Sequence, residues 1–148
     1  MQFLQTEIFS RADHLRLCDV SLDSNRMLAL QSRVLLRDGN SRHIPMLDFH
    51  VPASDRSLRS VMTVLKVLRL SGFVLLSGKS YHFYGDELME EGELCRFLGK
   101  ALLFTPIVDR AWIAHQLMAS ACALRVSQRP QYGAPKVVAR VEIPTQSR

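Results

Sequence analysis

Apolar and polar residues alternate along much of this chain in short runs, and in three stretches the spacing changes to that of a helix. SRVLLRDG (residues 32–39) and HIPMLDFHV (43–51) have the pattern of strands, with DGN as a strong turn signal between them and Pro52 ending the second. Ser54 or Asp55 then caps a helix. Leu58, Val61, Leu65 and Leu68 form its apolar stripe, and Arg56, Arg59, Lys66 and Arg69 fall on the wet side. GFVLLSG and SYHFYG, broken at Gly78-Lys79, predict a hairpin. Helical spacing returns at Leu94, Phe97, Leu98, Ala101 and Leu102. Thr105-Pro106 interrupts it, and Asp109 caps a further helix through WIAHQLMASACA. LRVS predicts a strand, RPQYGAP a loop, KVVARVEI a last strand and PTQSR a frayed tail.

Residues 1–32 carry the weakest pattern: HLRLCDV fits a short strand, and LDSNRMLALQS a helix capped at Ser24. The order βαββααββ that follows predicts an α+β fold, a mixed and mainly antiparallel sheet covered by helices. No repeat, low-complexity segment or long polar linker divides the chain, so residues 1–148 are expected to form one domain.

Composition narrows the classes. The apolar fraction of 47% and charged fraction of 22% are those of an ordinary soluble globule. No apolar run reaches bilayer length and no signal-like core follows a basic start, so no membrane partner is expected. Cys18, Cys95 and Cys122 lie far apart without a CxxC pair, which disfavours a disulfide scaffold or a cysteine-cluster zinc site and suits a reducing cytoplasm. The formal charge is +5, and 15 arginines against four lysines favour planar guanidinium recognition of phosphate. From Asp109 to Arg148 six basic residues face two acids, a balance of +4, so a basic face would come from the C-terminal third. The five acids from Asp86 to Glu93 fit a solvated helix start.

The candidate chemistry sits in two tripeptides. On an extended strand Asp48 and His50 flank Phe49 on one face, and Ser80 and His82 flank Tyr81 in the same way. If the two strands are neighbours, four polar side chains converge where hydrocarbon is usual. A carboxylate with imidazoles and water can hold Mg²⁺ or Mn²⁺, and with more histidine zinc or iron. On the plainer reading these side chains lie on the wet side of amphipathic strands. Gly72, Gly78 and Gly85 make neither a phosphate loop nor a dinucleotide fingerprint, and Ser77 and Ser80 lack a nucleophile elbow. Trp112 and Phe97 fit core anchors, and His115 an interfacial histidine. Arg129, Tyr132 and Lys136, around RPQYGAP, suit either a phosphate and base clamp or a solvated loop.

The strand acid Asp48, the serine-x-histidine of SGKSYHFYG and the later pair LRVS and KVVARV together resemble the catalytic domain of archaeo-eukaryotic primases, the primase small-subunit and primase–polymerase superfamily, over roughly residues 33–143. The resemblance implies a primase-like catalytic fold and metal-dependent nucleotidyl transfer in DNA replication, or a degenerate nucleotide-binding derivative. It implies Asp48 and His82 as catalytic residues, and Ser80, His82, Arg125 and Lys136 as nucleotide contacts. Asp48 and His50, with Asp109 or Glu142 as the later acid, are the implied holders of Mg²⁺ or Mn²⁺. The family pattern has a second acid where this chain has His50, which removes a negative charge from any two-metal clamp. Nucleoside triphosphate, nucleic acid and a larger assembly are the implied partners. Two alternatives remain: a noncatalytic nucleic-acid-binding or assembly module, and a small metal-dependent phosphoesterase or structural domain.

Overall fold

The computed structural model describes residues 27–129 and 131–144. Their element order is β1 (Ala29–Gln31), β2 (Arg33–Leu35), β3 (Ser41–His43), β4 (Met46–Asp48), α1 (Asp55–Val67), β5 (Gly72–Leu76), β6 (Tyr81–Gly85), α2 (Glu91–Ala101), α3 (Arg110–Ala119), β7 (Ala123–Arg125) and β8 (Lys136–Val141). From β4 onward this is βαββααββ, and every strand pair is antiparallel, so the fold is α+β. The main sheet has four strands in the order β4-β6-β5-β8, with β1-β7 and β2-β3 as two short ribbons.

Local chemistry explains the boundaries. The Ser54 hydroxyl accepts from the Ser57 amide at 3.1 Å and starts α1. The helix closes with Arg69 in the left-handed region (φ 58°), where the Arg69 and Leu70 amides donate to Lys66 and Leu65 carbonyls, both at 3.0 Å. Val61, Val64 and Leu65 are buried, whereas Arg56, Arg59, Lys66 and Arg69 are exposed. The side chains of Leu47, Phe49, Val74 and Phe83 complete the centre of the core. Glu90 and Glu93 form a reciprocal cap on α2. No described helix is long and apolar enough to cross a membrane.

Three expectations change. Ala29–Gln31 are not helical: they pair with β7, Leu30 opposite Leu124, and long-range pairing overrides the helix-forming residues. The remainder of that expected helix, and the strand expected in HLRLCDV, lie outside the described residues. HIPMLDFHV is not one strand: His43 closes β3 and β4 covers only Met46–Asp48, because Pro45 has no amide for a ladder. Its carbonyl instead accepts from Gly85 at 2.8 Å as the chain passes from β3 to β4. The helix expected to reach residue 123 stops at Ala119, with Ser120 left-handed, which frees Ala123 to enter β7. Between the two ribbons, the buried Ser32 hydroxyl bonds His43 Nδ1 at 3.0 Å and accepts from the Cys122 amide at 2.8 Å.

Candidate functional site

β6 lies between β4 and β5, and its register with β4 sets Asp48 directly opposite His82. Opposed residues in an antiparallel pair project to the same face, and Asp48 Oδ1 stands 3.6 Å from His82 Nε2. Alternation turns Tyr81 the other way, where its hydroxyl bonds both the amide and the carbonyl of Ser54 at 3.0 Å. Ser80 joins the strand to the chain beyond β4. Its hydroxyl donates to the Phe49 carbonyl at 2.6 Å and accepts from the Val51 amide at 3.2 Å.

The segment after β4 brings in a second acid. The Asp109 amide donates to the Asp48 carbonyl at 2.9 Å, and the His50 amide to the Ile107 carbonyl at 2.8 Å. Asp109 Oδ1 accepts from the Trp112 amide at 2.9 Å and caps α3, while its Oδ2 stands 3.7 Å from His50 Nδ1. Asp48, His50, Ser80, His82, Asp109 and Arg125 all line one cleft of about 500 Å³.

The floor of the cleft is electrostatically frustrated. Burial, then the negative charge of Asp109, push the Asp48 carboxyl up to about 7, against the Phe49 amide and Arg129. Burial, then the positive charges of Arg125 and Arg129, push His82 down to about 4. Between these values the acid keeps its proton and the imidazole stays neutral, so the close pair is not an ion pair. His82 Nδ1 is buried without a hydrogen-bond partner.

The other sequence candidates fall elsewhere. Glu142 follows β8 at the far end of the sheet, where Val141 opposes Gly72, and it bonds Arg140 at 3.2 Å. Lys136 opens β8 opposite Leu76 and is exposed, but it does not line the cleft. Arg125 does line it, yet its guanidinium binds the carbonyls of Ser77 at 2.7 Å, Gly133 at 3.5 Å and Ser127. Its charge reaches the cleft while its donors hold the walls.

Four further residues line the cleft: Lys79, for which the sequence suggests no role, Trp112, expected as a core anchor, and Arg129 and Tyr132, expected in either a phosphate and base clamp or a solvated loop. The tryptophan is half-buried, with Nε1 donating to the Ala123 carbonyl at 3.1 Å. The available signal was the clustering of basic and aromatic residues in the two loops that follow β5 and β7.

Among the described residues no group of three or more His, Cys, Asp or Glu side chains is placed to hold a metal ion. The donor set therefore does not form an all-protein cage. Two carboxylates whose charges repel in one cleft do fit a single hard cation that takes its remaining oxygens from water and phosphate. They do not fit a two-metal clamp.

A family model described as archaeo-eukaryotic primase 1D-like matches residues 8–138. No curated protein and no solved structure matches the chain.

Proposed function

Because the chain belongs to the archaeo-eukaryotic primase 1D-like family, we propose that its cleft binds a nucleoside triphosphate together with one divalent cation, Mg²⁺ or Mn²⁺. The observation that supports this reading is the opposition of Asp48 and His82 at 3.6 Å on the floor of a cleft whose wall carries arginine. In this reading Asp48 and Asp109 hold the cation, which neutralises phosphate charge when bound. The buried His82 faces the phosphates, Ser80 ties the Phe49 carbonyl and the Val51 amide beside them, and Arg129 supplies the positive charge. Asp48 gives up its carboxyl proton when it takes a cation, so affinity weakens as pH falls below about 7. Lys136 and Glu142 have no part, and Arg125 acts through its field and the walls it holds.

Asp109 favours a further step within the same reading. As the later acid it gives the cleft a carboxylate besides Asp48, which supports metal-dependent nucleotidyl transfer to a 3′-hydroxyl around a single cation, while the place of the second acid stays with His50. Arg129 favours the noncatalytic alternative, a nucleic-acid-binding or assembly module, because among the described residues its guanidinium forms no hydrogen bond or ion pair. Titration calorimetry with ATP and Mn²⁺ tests the shared premise. Wild type binds, and His82→Ala weakens binding at least about tenfold, a loss of roughly 1.4 kcal/mol. No binding by wild type, or equal binding by the variant, overturns the reading. Primer extension under the same conditions separates transfer from binding alone.

A further inference from the structure

One part of the cleft wall is built beyond what a phosphate site requires. Arg129 and Tyr132 are bridged by both backbone bonds: the Arg129 amide donates to the Tyr132 carbonyl at 2.7 Å, and the Tyr132 amide to the Arg129 carbonyl at 3.1 Å. Residues opposed in this way send their side chains to the same side, and both side chains line the cleft. The tyrosine ring is held from behind. A Cβ at Gly78 would lie 2.8 Å from Tyr132 Cγ and 2.9 Å from Cδ1, and Gly78 has φ +115°, so this turn position needs glycine on both counts. Lys79, the next residue, places its Nζ 5.7 Å from the ring centroid. The ring is nevertheless only half-buried.

A held aromatic ring beside a lysine, on a wall that also carries the Arg129 guanidinium, is a poor hydrophobic anchor. It suits a flat, apolar ligand surface attached to negative charge. We infer that the Arg129–Tyr132 bridge is a nucleobase clamp, with Tyr132 stacking the base of a nucleoside triphosphate while Arg129 and Lys79 hold its phosphates. The inference rests on the nucleotide reading and adds that the cleft reads the base as well as the phosphates. Every base has a π face, so the clamp takes purine and pyrimidine nucleotides within a few-fold of one another.

The test is calorimetry of wild type, Tyr132→Ala, Tyr132→Phe and Arg129→Ala against ATP and against inorganic tripolyphosphate, each with Mn²⁺. Tyr132→Ala weakens ATP binding about tenfold and leaves tripolyphosphate unchanged, Tyr132→Phe retains ATP affinity, and Arg129→Ala weakens both ligands. Tyr132→Ala acting equally on both ligands, or on neither, overturns the clamp while the nucleotide reading stands. An oligothymidylate whose binding depends on Tyr132 when that of ATP does not overturns the assignment to a free nucleotide. A wild type that binds neither ATP nor tripolyphosphate overturns the nucleotide reading itself. Circular dichroism of Tyr132→Ala shows a folded protein, and an unfolded one moves the test to Tyr132→Leu, which removes the aromatic face and keeps bulk.

Discussion

The two ends of the four-stranded sheet carry similar residues in opposite electrostatic states. At one end Asp86 and Glu142 meet Arg140 at 2.8 Å and 3.2 Å, and the guanidinium also stacks 4.5 Å from the Phe73 ring centroid. Water reaches this cluster and each charge has a partner. At the other end Asp48 stands beside a neutral histidine and near another acid, with its carboxyl pushed up to about 7. The first arrangement is complete without a ligand, whereas the second leaves a buried acid and a buried histidine without matching partners. Function is therefore sought where charges are close, buried and unmatched, rather than where ion pairs are most numerous.

The largest effect that separates the two ends is the pH dependence of stability without metal. Asp48 has an ordinary value of 3.8 and a folded value of about 7, so its contribution is present below 3.8 and is lost as pH rises toward 7. His82 goes the other way, from 6.5 to about 4, so its contribution is present above 6.5 and is lost as pH falls toward 4. Between pH 4 and 6.5 the two slopes oppose. His82→Gln leaves the Asp48 slope, and urea unfolding in chelator then shows stability falling with pH by up to about 1.4 kcal/mol per unit relative to wild type. Asp48→Asn gives a rising difference. Flat differences for both cleft variants would remove the distinction between the two ends.

A smaller effect compares two serines. Ser80→Ala removes bonds to the Phe49 carbonyl and the Val51 amide, and costs about 1–2 kcal/mol in chemical unfolding. Ser71 accepts a single bond from the Ile143 amide at the far end, and its alanine variant costs about half as much. Equal losses would show that the cleft end is no more tightly tied. The smallest change is that of Arg140→Ala, below about 1 kcal/mol and fading in salt, with nucleotide binding untouched.

Much of the order was legible because its signals are local. The Ser54 cap, the β5–β6 hairpin and the Asp109 cap need only a few neighbouring residues. β1 escaped because its identity depends on β7, nearly a hundred residues away. Alternation put Asp48 and His50 on one face, and Ser80 and His82 on one face, but the neighbourhood of β4 and β6 is a long-range pairing. The choice between Asp109 and Glu142 as a cleft acid depended on which end of the sheet each reached. Asp109 both caps α3 and lines the cleft, so two competing readings of one residue describe the same carboxylate. Arg125 was picked out by residue type, but only the folded chain shows that carbonyls occupy its donors.

Those three carbonyls lie on two separate stretches of chain, one at the β5–β6 turn and one after β7. Fastened by one planar fork, the walls lose their independent motion when the chain folds rather than when a ligand arrives. Part of the entropy of ordering the cleft is thus spent before binding. An incoming molecule meets a preorganised surface and keeps more of its interaction energy as affinity.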